Sequence, residues 1–321
     1  MNKLLSVCIA LLLPLIAHGQ SAAKLYRIGV IHQGGVFDAA MRGMVDGLKQ
    51  AGLVEGKHFV LHVRDTRGKL REVAPAAQQL VSERVDLLFT VTTSVTIEAK
   101  KATRDIPIVF YIGADPVRYG LVRSYANPGD RLTGVQQLSF DLVAKRMDIL
   151  KQVLPHARRL CVLYNPENPV TQQSVANARD VARKLGMELL ERPIGSVEEA
   201  LNVIGSLRPT DADACFQVLD STVFSAMPRI IARARERKIP FSGVDLSFVQ
   251  DGALMAYGVN YFDVGRFASR HVQRILAGGR PQDIPVEIYD KVQLGLNLRV
   301  AKELGITVPQ PLILRADQVI R

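Results

Sequence analysis

The chain alternates short apolar runs with amphipathic stretches along almost its whole length, and few folds accept that pattern. Apolar runs too short for helices, each followed by a stretch of helical periodicity, build α/β folds with parallel sheets covered on both faces. Tyr26 to Ile31 reads as the first strand. Met41, Met44, Val45 and Leu48 then share one helical face, and Gly52 stops that helix. Phe59 to Arg64 alternates as a strand, and Glu72 to Ser82 is a helix with Pro75 tolerated near its start. Leu87 to Val91 and Ile106 to Tyr111 are further strands, separated by a helix from about Val95 to Thr103. The turn formers Asn127-Pro128-Gly129-Asp130 mark a break.

A second alternation opens with the helix Asp141 to Leu154. Its strands are Leu160 to Tyr164, Glu188 to Leu190, Ala214 to Leu219 and Phe241 to Val244. Its helices run near Val170 to Leu185, Val197 to Ser206 and Val223 to Arg237. The two halves are alike in plan, so two similar lobes are expected. Left over are Leu254 to Val259, the helix Phe262 to Ala277 and the strand Val286 to Val292. Surplus elements after two complete lobes imply a chain that crosses between them more than once.

With 321 residues, 48% of them hydrophobic, the chain can bury two ordinary cores. Its net charge of +10 is scattered rather than blocked. The densest cluster, Arg229 to Lys238, lies near a helix end, where cations complement the dipole. Nucleic acid is therefore not an expected partner, and the charge licenses only a modest pull toward anionic solutes or surfaces.

Lys3 followed by the apolar run Leu4 to Ala17 and the small residues of Ala17-His18-Gly19 reads as a cleaved secretory signal, residues 1–19. Cys8 is no lipid-attachment site, because the bulky Val7 precedes it and the apolar run continues past it. Removing the leader leaves a net charge of +9 and a mature start near Gln20. The expected location is periplasmic. No pool of NAD or ATP exists there, so no cofactor is expected and a small solute is the natural ligand. Cys161 and Cys215 each sit in an apolar strand and are expected to be buried free thiols, without the Cys-x-x-Cys spacing of zinc or redox sites.

Enzyme signatures are missing: no Gly-x-Ser-x-Gly elbow, phosphate-binding Gly-Lys-Ser/Thr loop, dinucleotide fingerprint or His-Glu-x-x-His. His58 and His62 flank apolar residues of one strand and read as an edge pair rather than a metal site. In open parallel sheets ligands bind beyond the carboxyl ends of the strands. Those ends hold Gln33 and Phe37, Thr92, Thr93 and Ser94, Tyr111, Asp115, then Asn165 and Glu167, Asp220, Ser221 and Thr222, and finally Tyr257 and Asn260. Each has two readings. Thr92 to Ser94 and Asp220 to Thr222 are also good helix caps, Asp115-Pro116 is also a turn, and Tyr257 is also a core aromatic. As ligand groups, the helix N-termini suit a carboxylate and Asp220 or Glu167 an ammonium. Phe37, Tyr111 and Tyr257 then supply an apolar lining.

Ordered motifs carry a resemblance over nearly the whole chain. They include Asp251-Gly252-Ala253-Leu254-Met255-Ala256-Tyr257-Gly258, Ile275-Leu276-Ala277-Gly278-Gly279-Arg280-Pro281 and Asn297-Leu298-Arg299-Val300-Ala301-Lys302-Glu303-Leu304-Gly305. Upstream stand Ile106-Pro107-Ile108-Val109-Phe110, Asp115-Pro116-Val117 and Asn127-Pro128-Gly129. The chain resembles the ABC-transporter substrate-binding proteins that include the tryptophan and tyrosine binders. That resemblance implies two Rossmann-like lobes with parallel sheets, the type I periplasmic-binding architecture with three hinge crossovers. It places residues 24–138 plus 254–283 in an N-terminal lobe and 139–253 plus 284–321 in a C-terminal lobe, hinged near Leu138, Leu254 and Ile284. It implies a non-enzymatic, monomeric importer component, working with membrane permease and ATPase subunits, for an amino acid or derivative, aromatic or branched. It also sets Gly34-Gly35-Val36-Phe37 where aromatic binders commonly carry a His-Pro-like segment, and Asp220-Ser221 where they carry Asp-Asn. A ligand-sensing subunit for a membrane receptor and an exported hydrolase using Asp115, Glu167 or Asp220 are the competing functions.

N-terminal sequencing of protein from an exporting host is expected to begin near Gln20. A chain beginning at Cys8 with an acyl mass would sink the leader reading.

Overall fold

The computed structural model describes residues 24–321, so the leader and Cys8 lie outside the described residues. The first lobe opens with β1 (Tyr26–His32), α1 (Phe37–Gln50), β2 (Phe59–Asp65), α2 (Val73–Ser82), β3 (Leu87–Val91), α3 (Thr93–Ala102), β4 (Ile108–Ile112) and β5 (Leu132–Gln137). The second lobe follows as α4 (Leu142–Val153), β6 (Arg159–Tyr164), α5 (Pro169–Lys184), β7 (Glu188–Pro193), α6 (Val197–Ser206), β8 (Ala214–Phe216), α7 (Ser221–Ser225), α8 (Met227–Glu236), β9 (Phe241–Gly243), α9 (Ser247–Gln250) and β10 (Met255–Gly258). The tail adds α10 (Tyr261–Leu276), β11 (Glu287–Tyr289), β12 (Gln293–Asn297), α11 (Leu298–Glu303), α12 (Gln310–Arg315) and β13 (Gln318–Ile320).

Two sheets result, in the orders β11-β5-β4-β3-β1-β2 and β13-β12-β10-β9-β8-β6-β7. Every pair in the first is parallel, and in the second only β10 with β12 is antiparallel. The central strands β3 and β4 are buried at every residue, because helices cover both faces of the sheet. Edge strands β2 and β7 are only partly buried. Among the described residues no helix is long and apolar enough to cross a membrane.

The two-lobed α/β reading stands, but three details differ. β5 was not expected: Leu132–Gln137 reads LTGVQQ, too polar to signal a strand, yet each residue is buried between β4 and β11. The helix expected over Val223 to Arg237 is two helices, since Pro228 starts α8 afresh after the non-helical Ala226. The expected lobe boundaries at Leu254 and Ile284 also move. Met255–Gly258 stays in the second sheet, bonded to β9 and β12, whereas Glu287–Tyr289 pairs with Val135–Gln137 in the first. The connections between sheets therefore fall at residues 138–141, 259–260 and 290–292.

Cys161 and Cys215 are free and buried, and they are direct partners in register on β6 and β8. The two histidines serve separate local contacts: His58 Nδ1 accepts the Val54 N–H at 2.8 Å, and His62 Nδ1 lies 2.7 Å from Glu83 Oε2.

What returns the chain to the first lobe is the contact of α10 with α1. Both helices begin at the cleft and run in the same direction, and their backbones touch through glycine. A Cβ on Gly43 would lie 1.9 Å from the Phe262 carbonyl oxygen, and one on Gly265 1.9 Å from that of Ala40. Alanine normally gains about 1 kcal/mol over glycine inside a helix. Here the clash is with backbone, so Gly43→Ala is expected to cost about 1–3 kcal/mol net. A urea midpoint at or above that of the parent chain would show that the helices have room to spare.

Candidate functional site

The carboxyl ends of β1, β3, β4 and β5 face those of β6 and β8 across the interlobe cleft, and a cavity lies between them. It is narrow, leaving about 40 Å³ for the centres of water-sized spheres, room for a few waters, so the lobes stand nearly shut over it. Phe37, Val91, Thr92, Thr93, Ser94, Tyr111, Ile112, Gly113, Gln137 and Tyr261 line it on the first-lobe side. Asn168, Val170, Leu219, Asp220, Ser221 and Phe224 line it from the second.

The first-lobe wall is set by an unusual backbone. Thr92 sits at φ 90°, ψ 151°, a region that β-branched residues rarely enter. It is pinned there because its N–H donates to the Tyr111 carbonyl at 2.8 Å and its Oγ1 accepts the Val95 N–H at 3.3 Å. α3 therefore starts abruptly at the cavity wall, and the N–H groups of its first turn have no acceptor within the helix. Thr93 Oγ1 accepts the Ala114 N–H at 3.2 Å and ties this turn to the end of β4.

Opposite it, Asn168 caps α5 by accepting the Val170 N–H at 3.1 Å, and the same Oδ1 accepts the Ser94 hydroxyl at 3.0 Å across the cleft. Asp220 caps α7 through Oδ1, which accepts the Val223 N–H at 2.8 Å, while Oδ2 accepts the Asn165 N–H at 2.6 Å. Burial raises its pKa, and these backbone donors oppose that shift.

Aromatic rings close the remaining walls. Phe37 stacks on Phe224 from the other lobe, centroids 5.3 Å apart and 18° from parallel. Tyr261 meets Phe37 at 5.8 Å, Phe224 at 5.9 Å and Tyr111 at 5.4 Å. Beyond the rings Arg146 is fully buried on Phe216, donates to the Gln217 carbonyl at 2.6 Å, and has no carboxylate in ion-pair range among the described residues. Burial lowers its pKa to about 9. Asp245, also buried and raised in pKa by that burial, accepts the Tyr261 N–H at 3.0 Å at the second crossover.

Further contacts hold the lobes together. Thr222 Oγ1 donates to the Gly68 carbonyl at 3.2 Å, and Arg118 Nη2 to Gln173 Oε1 at 2.7 Å. Gly35, in the segment that departs from the aromatic-binder pattern, lies so close to the second lobe that a Cβ would come within 2.7 Å of the Ser225 carbonyl oxygen.

The fourteen residues singled out by strand-end reasoning separate into three groups. Phe37, Thr92, Thr93, Ser94, Tyr111, Asp220 and Ser221 meet at the cavity. Gln33, Asn165, Glu167 and Thr222 line a wider outer part of the cleft instead. Asp115, Tyr257 and Asn260 line neither chamber. Asp115 accepts the Val117 N–H at 2.8 Å as a turn residue, Tyr257 packs against the second-lobe core, and Asn260 caps α10 through the Asp263 N–H at 3.1 Å. Asn168, Phe224, Tyr261 and Gln137 were missed. Asn168 carried a signal, the cap followed by Pro169. Gln137 carried none, because its strand was not recognised.

Residues 27–320 match the family of ABC transporter substrate binding proteins. A tyrosine-binding protein of Clostridioides difficile (strain R20291) is 29% identical over 270 residues, covering 84% of this chain and 77% of that one. The solved structure of a conserved domain protein from Vibrio cholerae is 29% identical with a TM-score of 0.85, covering 92% of this chain and all of the other. An ABC domain from Streptococcus pneumonia in complex with L-Trp shares the fold at 24% identity and a TM-score of 0.83, with coverage of 92% and 100%.

Asp220→Ala removes a helix cap and leaves the Asn165 N–H without its acceptor. It is expected to lower the stability of the unliganded protein by about 1–3 kcal/mol. An unchanged denaturation midpoint would mean that neither bond bears on the fold.

Proposed function

The chain belongs to the ABC transporter substrate-binding protein family, and from that premise we propose that it is the extracytoplasmic solute-binding component of an importer for an amino acid or amino-acid derivative, with an aromatic side chain favoured over a branched one. Members of the family bind solutes and work with transporter components rather than convert what they hold. The observation that carries the ligand reading is the inner cavity. A cage of Phe37, Tyr111, Phe224 and Tyr261 stands beside a helix N-terminus of the first lobe and a carboxylate of the second.

The parts suit the two ends of a zwitterion. A ligand carboxylate fits the free N–H groups at Thr93 and Ser94, where the α3 dipole adds about 0.3–1 kcal/mol. Asp220 supplies the charge for an ammonium, because each of its oxygens keeps a lone pair beyond the N–H it already accepts. A ring among the aromatic side chains gains about 0.5–1.5 kcal/mol per aromatic pair beyond its buried area. Micromolar affinity needs about −8 kcal/mol net, and these contacts add to the apolar area that the ring buries in offsetting the cost of association. The relatives that bind tyrosine and L-Trp point to the same class.

Thermal-shift screening against amino acids, sugars and nucleosides is the direct test. Stabilisation by aromatic amino acids is expected, and stabilisation by sugars or nucleosides alone would defeat the reading. Solution scattering of the same samples is expected to show a smaller radius of gyration with ligand, because binding favours the closed lobes. A tightly bound ligand that leaves the radius fixed would show that the crossovers are not hinges.

A further inference from the structure

Resting only on the extracytoplasmic part of the reading above, we propose that Cys161 and Cys215 are a disulfide-forming pair that an oxidising compartment closes, tying β6 to β8 beneath the second-lobe wall of the cleft. They are the only cysteines among the described residues, and they are direct partners in register on the two strands. Paired residues of neighbouring parallel strands point to the same face of the sheet, with the strands about 4.7–4.9 Å apart. Disulfides span Cα separations of about 4.4–6.8 Å, so the backbone need not move far for the bond to form. Both thiols are free and buried, and each lies close enough to perturb the other's ionisation. A single buried cysteine needs no explanation, because it packs as a small apolar residue. Two that face one another on adjacent strands, with none elsewhere among the described residues, point to a bond between them.

Apolar side chains of the α6 and α8 layer, among them Ala200, Ile204 and Ile231, belong to the same buried cluster as the pair. An oxidant cannot reach the sulfurs through that layer, so the bond forms while the lobe folds. The oxidant is a disulfide. It first takes one cysteine into a mixed disulfide and releases one thiol of its own. The thiolate of the second cysteine then attacks the sulfur of the first and displaces the oxidant's other thiol. Two electrons and two protons pass from the pair to the oxidant, and one S–S bond replaces two S–H bonds.

The strand ends above the pair give the tie its bearing on the cleft. Asn165 follows β6 and Asp220 follows β8, and Asp220 Oδ2 accepts the Asn165 N–H at 2.6 Å. The covalent link and that hydrogen bond brace the same two strands, one in the core and one at the cleft.

Refolding the purified chain from urea with oxidised glutathione tests the pair by itself. Thiols are then trapped with N-ethylmaleimide in denaturant and the intact protein is weighed. No adduct is expected at Cys161 or Cys215, and digestion is expected to give one linked peptide pair containing both. The oxidised protein is expected to melt about 5 °C above its reduced form, a difference that Cys215→Ser abolishes. Adducts at both cysteines, glutathione retained on either, or a melting temperature at or below that of the reduced form would overturn the proposal. Trapping in cells of an exporting host tests the compartment, and again no adduct is expected at either position. Free thiols in those cells, from a chain that closes in glutathione, would overturn the extracytoplasmic reading and closure in the cell with it.

Discussion

The contact between α1 and α10 is the constraint from which the rest of the structure follows. Two helices can run with their backbones in contact only where side chains are missing, and Gly43 and Gly265 remove them at the crossing. Each helix opens at the cleft with an aromatic residue, Phe37 and Tyr261, and these rings meet at 5.8 Å. The depth to which the helices interlock thus fixes where two walls of the cavity stand. It also returns the chain to the first lobe after β10, so that β11 can complete the first sheet beside β5. Without that docking the tail would belong wholly to the second lobe, and the lobes would share one connection instead of three.

Three connections restrict how the lobes can move. Each is short, spanning residues 138–141, 259–260 and 290–292, which leaves little length for sliding of one lobe past the other. The cross-cleft bonds are correspondingly sparse and local: Ser94 to Asn168, Thr222 to Gly68, Arg118 to Gln173, and the stack of Phe37 on Phe224. Isolated polar bonds of this kind contribute about 0.5–1.5 kcal/mol each after exchange with water. They are enough to define a closed geometry and too few to lock it. Under the proposed role, a solute that contacts both walls would decide the balance by its differential affinity for the two forms.

How much of this was legible in the sequence depended on whether a residue's role was set by its neighbours in the chain or by those across the cleft. Apolar runs and helical faces are local, so the two alternating lobes were readable. β5 escaped because its burial comes from β4 and β11 on either side, which lets Thr133, Gln136 and Gln137 be buried strand residues. The exact places of the second and third crossovers escaped similarly: whether Met255–Gly258 or Glu287–Tyr289 joins one sheet or the other is decided by pairing across long sequence separations. At the site, strand-end reasoning found the wall formed by Thr92 to Ser94 because a cap before a helix is a local signal. It could not tell Asp115, whose carboxylate accepts the N–H groups of Val117 and Arg118, from Asp220, whose carboxylate reaches the Asn165 backbone in a different strand-end loop. Phe224 and Tyr261 gave no local sign because their partners belong to elements distant in the chain.

The buried polar groups around the cleft carry a cost that bears on the proposed role. Arg146 is a stripped cation, Asp220 and Asp245 are stripped carboxylates, and the hydroxyls of Tyr111 and Ser221 have no partners. Each is a cost of the folded state, because burial without a full set of bonds is worse than exposure or apolar replacement. Asp220 and Asp245 recover part of it through backbone N–H donors at α7 and at the second crossover. The hydroxyls of Tyr111 and Ser221 recover nothing within the fold. Under the proposed solute-binding role, lobes that open would let water reach such groups, so an empty closed form would carry their cost. A solute held in the cleft as proposed would be set against that cost, which would couple its binding to closure.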